Sequence, residues 1–355
     1  MAYSTIDNPE LYFQIELYTG EHGSGTGTST HTFDGSENMQ PDMVWIKTRS
    51  HTSNHQMHIS TTAQPYHFLE PSTEDALATT NTTALTSFNS DGFTIGSDGV
   101  INENTYTYVA WCWKAGTTSG ITTNGSTTIT PSAYSFNQTS GISIAKFTGN
   151  GTAGAKIAHG LGATPEMVIV KRTGSSGKWD IVGSILSGAS YYLRLGYTAA
   201  EATGTWAFND TLPDSVNFTV GDNAETNSSD GNVAFSFKSI KGYSSFGTYK
   251  GNASADGTFV HTGFRCAWVL TKKRNGTGNW ILGDSKRNPG NPIGKQLEVN
   301  TTGAEYDSTR LDLLSNGFKC RASGSDANGS GDTYVYMAFA EAPFVNSNGV
   351  PCNAR

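Results

Sequence analysis

Charge, helical periodicity and long apolar runs are all scarce in this chain. Charged side chains occupy 15% of its 355 positions, and Ser, Thr and Asn dominate the polar ones. So sparse a charge, with no basic stripe, argues against nucleic acid as a partner. Few stretches repeat apolar residues every three to four positions, and residues 72–85 come nearest to a helix. The longest apolar runs are about seven residues, against the ~20 a membrane-spanning helix requires, so no membrane partner is expected. Met1-Ala2-Tyr3-Ser4 offers neither a basic nor an apolar leader, so no export signal is expected. The four cysteines, Cys112, Cys266, Cys320 and Cys352, lack zinc-site spacing. They are expected as reduced thiols, with Cys266 and Cys320 near one another.

What the chain does have is 41 glycines, 17 Phe, 15 Tyr and 7 Trp, arranged in short alternating runs between Gly/Asn/Ser/Asp turns. That pattern predicts an all-β protein, and the aromatic content argues against disorder. The net charge of −7 is uneven: residues 1–118 carry 3 basic and 13 acidic side chains, residues 119–241 carry 8 of each, and residues 242–355 carry 12 and 9. An acidic front and a mildly basic rear would suit head-to-tail contact between copies, although a solvated surface is the favoured explanation.

Internal repetition decides the expected fold. Tyr106–Lys114 recurs in weaker form at Asn232–Lys238 and Tyr336–Glu341. With Ala110, Ala234 and Ala338 in register, one face carries Val109/Trp111, Val233/Phe235 and Met337/Phe339, and the other carries the small residues. Large on one side and small on the other is the mark of a strand filling a core under a close neighbour. Each copy opens with an aromatic-x-Gly turn (Tyr18–Gly20, Phe147–Gly149, Tyr249–Gly251) and continues into a strand ending at Lys47, Lys171 or Lys272. Eight residues beyond each lysine stand His55, Trp179 and Trp280, and five further on Ser60, Ser184 and Ser285. Phe93, Phe218 and Phe318 follow turns, and Asn102, Asn227 and Asn328 precede the closing strands. The expected architecture is three tandem antiparallel β-sandwich repeats, jelly-roll or concanavalin-like, of about 100 residues each, over 1–118, 119–241 and 242–355. Residues 116–140 read as a linker with an edge strand around 126–130, Lys241-Gly242 as a tight junction, and 342–355 as a surface tail.

No catalytic, cofactor-binding or metal residue is nominated. Gly149–Gly154 matches G-x-G-x-x-G but opens no helix, which nucleotide binding requires. His51, His55 and His58 cluster in sequence, yet lie among Thr, Ser and Asn, and His55 fills a slot that is Trp elsewhere. His159 and His261 occupy matching positions and read as turn anchors, with His31 a shifted counterpart. Asp326–Asp332 begins like a calcium loop, but Met337 stands where the bidentate Glu belongs. There is no G-x-S-x-G elbow, and carboxylate pairs such as Glu74/Asp75 recur in no other copy. Trp45, Trp111 and Trp268 read as core, while Trp179, Trp206 and Trp280 are better candidates for exposed contacts, with core still the favoured reading.

Pro41–Lys47, Phe88–Phe93, Tyr108–Lys114 and Tyr334–Glu341 together resemble repeats in virion structural proteins of tailed bacteriophages, of the kind carried by marine phages infecting cyanobacteria. The resemblance covers about residues 12–345. It departs in having Cys266 where the other copies have Pro, and His55 where they have Trp. It implies a non-enzymatic protein of the virion, assembled in the host cytoplasm and displayed on a tail fibre or capsid surface, bound to other virion proteins and to copies of itself. A glycan-binding adhesin on the virion is the alternative, and a depolymerase of host polysaccharide a third reading.

Overall fold

Alternating aromatic and β-branched residues give strands, and the strands assemble into antiparallel sheets in a computed structural model that describes residues 3–23, 25–324 and 326–352. Helix is confined to single turns such as Gly99–Asn102, Thr205–Phe208 and Ala224–Asn227. The expected helical run at 72–85 is instead turns and loop that end in the Leu85–Asn89 strand. Pro71, Thr73 and Asn81 break it, because Ser/Thr/Asn side chains there bond to nearby groups in turns (Asp75 N–H to Thr73 Oγ1, Thr83 N–H to Asn81 Oδ1) rather than supporting a helix.

One pairing pattern occurs three times along the chain. A closing strand lies between the opening strand and the lysine strand in each case. Thr107–Trp113 sits between Phe13–Thr19 and Met43–Thr48, and Asn232–Phe237 sits between Ile142–Phe147 and Met167–Arg172. In the last third, Thr333–Pro343 lies between Ser244–Lys250 and Phe264–Lys273. Pairing corrects the expected register there. Lys272 faces Val335, as Lys47 faces Val109, so Tyr336 rather than Ala338 takes the Ala110 slot. The slip is two residues, so the division into faces survives it. Gly247 opposite Tyr336 supplies the room: a Cβ there would meet the tyrosine ring at 3.0 Å.

The two faces go to different cores. Val109, Trp111 and Trp113, Val233, Phe235 and Phe237, and Val335, Met337 and Phe339 all enter one cluster shared by the three thirds of the chain. The opposite faces enter three separate satellite clusters, where Phe93, Phe218 and Phe318 are fully buried over the small residues. At the centre, Trp45, Trp113, Trp179, Trp268 and Trp280 surround a purely apolar cavity of about 20 Å³.

The repeated lysines close a ring around this centre. Lys47 Nζ donates to the Thr302 carbonyl (3.3 Å), Lys171 Nζ to that of Glu74 (3.3 Å), and Lys272 Nζ to that of Thr198 (3.1 Å). Each of these carbonyls also accepts the amide six residues beyond the lysine: Ser53, Gly177 and Gly278. Return bonds run from the Glu305, Leu77 and Glu201 amides to the Arg49, Thr173 and Arg274 carbonyls. The first third thus grips the last, the last grips the middle, and the middle grips the first. All three lysines are fully buried.

Burial lowers each ammonium's pKa to about 8 from 10.5. The desolvation cost of the charged form is therefore fully present below about pH 8. It is relieved between 8 and 10.5, where the unfolded chain binds more protons than the folded one. Wild type should gain stability over Lys47→Met between about pH 7.5 and 9.5, read from urea unfolding at both values. Parallel pH dependences of the two proteins would refute this.

The expected linker adheres to the fold. The edge strand is Ala133–Asn137, which pairs with Ile142–Phe147, while around 126–130 there is a single bridge from Ile129 to Ile157. At the far end, strand pairing continues to Pro343, and Ser347 bonds Asp7. Residues 353–355 of the expected tail lie outside the described residues.

Candidate functional site

The residues that recur in sequence are spent on structure. Asn102, Asn227 and Asn328 are buried, and each accepts through Oδ1 the amide of Glu21, Asn150 or Asn252. Through Nδ2 each donates to a carbonyl six residues back: Gly96, Gly221 and Ala322. The glycine of each aromatic-x-Gly turn lies so close to this asparagine turn that a Cβ on Gly20, Gly149 or Gly251 would meet backbone at 2.1–2.2 Å. Gly149–Gly154 is therefore a stapled turn, with no helix behind it. Ser60 donates to Asp42 (2.6 Å), which also takes Ser135 Oγ and the Ala115 amide.

The first-third histidines do not converge. His55 is fully buried, accepting the Trp45 indole N–H at 3.1 Å on one nitrogen and lying 3.3 Å from the Glu298 carbonyl on the other. Burial pushes its pKa down to about 3, so the ring is neutral. Trp280 reaches the equivalent carbonyl, that of Arg194, with its indole N–H. Size is conserved across the slot: Trp45 with His55 replaces Ile169 with Trp179 and Leu270 with Trp280. His58 bonds Gln56 and the Pro65 carbonyl, and His51 stacks on Tyr106. His159 anchors its turn through the Leu161 amide and the Asp214 carbonyl, whereas His261 is exposed on the Phe259–His261 strand. His31 packs between Tyr18 and Phe93. Among the described residues no group of three or more His, Cys, Asp or Glu could hold a metal ion. In the calcium-like loop Asp326 pairs with Arg310 and Asp332 with Lys273. Cys266 and Cys320 share a cluster, and all four cysteines are unpaired.

Of the three tryptophans weighed for exposed contacts, Trp179 and Trp280 are core at 1% exposure, as favoured, and Trp206 is half-buried. Around Trp206 lies a cluster the repeats do not announce. The Tyr191–Leu195 and Trp179–Val182 strands pair so that Arg194 faces Asp180, and the Thr205–Phe208 turn brings Trp206 alongside. The Arg194 guanidinium carbon lies 4.9 Å from the Tyr192 ring, 5.5 Å from Trp206 and 6.0 Å from Tyr197. Its Nε donates to Asp180 Oδ1 at 2.9 Å. Asp180 is fully buried, its other oxygen has no partner, and burial lifts its pKa to about 6, with Arg194 opposing that rise. The two terminal amino groups of Arg194 make no hydrogen bond among the described residues, and the side chain is 22% exposed. A stacked, anchored guanidinium with two unspent donors can bind an oxyanion or polar ring substituents. In sequence, only the aromatic density of Tyr191, Tyr192, Tyr197 and Trp206 around a lone arginine could have signalled it.

A second buried charge cluster joins the first and last thirds. Asp284 and Arg287, both fully buried, link to Trp111, Glu305 and Arg49. The carboxylates of Asp284 and Glu305 are both taken up by arginines of this network, so it holds the fold together. No helix among the described residues is long and apolar enough to cross a membrane.

No curated protein and no solved structure matches the chain. A family whose description reads "Domain of unknown function (DUF7483)" matches residues 8–343. The match covers nearly the whole chain, and the protein belongs to that family.

Proposed function

We propose that the protein is a non-enzymatic virion structural protein, built as three tandem β-sandwich repeats over about 1–118, 119–241 and 242–355. It stands on a tail appendage or the capsid surface of a tailed phage and assembles through protein–protein contacts. The observation that supports this reading most is the fate of the recurring residues. Lysine, asparagine and glycine, residue types from which a repeated binding or catalytic site would be drawn, are used three times over to fasten one repeat to the next or to staple its turns. Selection that repeats only fasteners favours a rigid building block. Immunogold microscopy on purified particles should label a defined appendage or surface. Label confined to lysate and absent from particles would overturn the proposal.

A second reading, a glycan-binding adhesin on the same particle, draws on the Arg194 cluster, which recurs in neither of the other repeats and is not needed to close the ring.

A further inference from the structure

We propose that the Arg194 fork binds the carboxylate of an acidic saccharide. This deepens the glycan-binding reading and rests on it. A guanidinium that served only to neutralise Asp180 would meet it with two parallel bonds, the usual geometry of an arginine–carboxylate pair. Here only Nε reaches Asp180, at 2.9 Å, and the second carboxylate oxygen is buried without a partner. The pair is thus spent on orientation. Asp180 anchors one edge of the guanidinium, and Tyr192 and Trp206 hold its plane at 4.9 and 5.5 Å. The two amino groups are left facing away from the anchor, and fixing them in advance lowers the entropy cost of capture.

Two parallel donors on a planar fork match a carboxylate end-on. The surroundings select the rest of the ligand. Tyr192, Tyr197 and Trp206 are half-buried, giving ring edges and two hydroxyls beside the fork, while Tyr191 turns to the opposite face of the strand and packs on the shared core. Of the neighbouring charged groups, Glu201 is taken up by Ser187 and Arg274, and Glu225 by Lys178. Such a rim suits a sugar ring with hydroxyls flanking one acidic group. With 8 basic and 8 acidic residues over 119–241, this part of the chain lacks the positive field that draws a polyanion such as nucleic acid.

The test uses the full chain and three probes: oligosaccharides bearing galacturonate, glucuronate or sialate, each beside its methyl ester, titrated by calorimetry. A short peptide with a free C-terminal carboxylate serves as a fourth ligand. At least one acidic oligosaccharide should bind about tenfold or more tighter than its ester, and Arg194→Lys should lose that preference while melting as wild type does. Rescue to half or more of the wild-type affinity by lysine would show that the charge alone suffices and would overturn the fork geometry. Equal binding of acid and ester would overturn the inference but leave glycan binding standing. Binding of the peptide as tightly as of the sugars would overturn the saccharide assignment. Failure of every glycan, acidic and neutral, would remove both this inference and the adhesin reading.

Discussion

Trp268→Ala is expected to destabilise the protein by about 3–5 kcal/mol, the range for removing a fully buried large aromatic side chain. The loss should appear as one transition shifted for the whole chain. Trp268 is 1% exposed and packs 6.5 Å from Trp45, 5.7 Å from Trp113 and 5.8 Å from Phe339. Two of those rings come from the first third of the chain. The indole therefore belongs to a core that no third could close by itself. It also borders the central apolar cavity, so removing the indole enlarges an existing void. With an unfolding entropy near 0.75 kcal/mol/K for 355 residues, the melting temperature should fall by about 4–7 °C. Scanning calorimetry checks the outcome. A thermogram in which one component moves and the rest stay in place would mean three autonomous sandwiches and would sink the shared-core account.

That core explains what could be read in the sequence and what could not. Strand identity and face were legible because they depend on local alternation: Val109 and Trp111 against Ala110 and Cys112 is visible without any knowledge of neighbours. The side on which a face finds its partner is a tertiary matter. Periodicity says that Trp111 is buried, but gives no hint that its indole reaches Asp284, 173 residues away in sequence. The same limit explains the tryptophans. Trp179 and Trp280 stand in short runs with polar flanks, so core is favoured over exposure only narrowly from sequence, and the shared core is what buries them. The repeated lysines show the limit most clearly. A lysine at the end of a strand ordinarily faces water, and nothing local to Lys47 indicates that Thr302 will cover it. The slipped register at Tyr336 has a related cause: matching alanine to alanine ignored Gly247 on the adjacent strand, whose missing side chain lets the larger ring occupy that slot. The candidate site was hidden for a different reason. Arg194 and Asp180 are unique to one part of the chain, so repetition, the strongest signal in this sequence, pointed away from them.

Asp284→Ala is expected to cost about as much as the tryptophan, roughly 3–5 kcal/mol, by another route. Asp284 Oδ2 accepts Arg287 Nε at 2.6 Å and the Trp111 indole N–H at 3.0 Å, and its Oδ1 accepts the Arg287 amide at 2.9 Å. Both charged side chains are inaccessible to solvent. Arg287 also reaches Glu305 at 3.0 Å, which is itself held by Arg49 at 3.1 Å. Deleting the carboxylate leaves the Arg287 Nε–H, the Arg287 amide and the Trp111 indole N–H without an acceptor away from water, and two arginines to share Glu305; most of the cost is those unmet donors rather than the lost attraction. The double variant is the sharper test. Asp284→Leu with Arg287→Met removes both charges and fills the space, so it should recover a large share of the loss. A double variant as unstable as the sum of its singles would refute the unmet-donor account. Exposure provides the control. Lys286, next in sequence to Arg287, pairs with Asp34 at 2.6 Å, but its side chain is 37% exposed and that of Asp34 68%. An exposed pair of that kind is worth about 0–1 kcal/mol and is screened by salt. Urea unfolding of Lys286→Ala should therefore lie close to wild type and converge on it as ionic strength rises, whereas the Asp284→Ala deficit should persist in 1 M salt because the Debye screening that acts in solvent, about 3 Å at that concentration, does not reach a pair sealed between the first and last thirds of the chain.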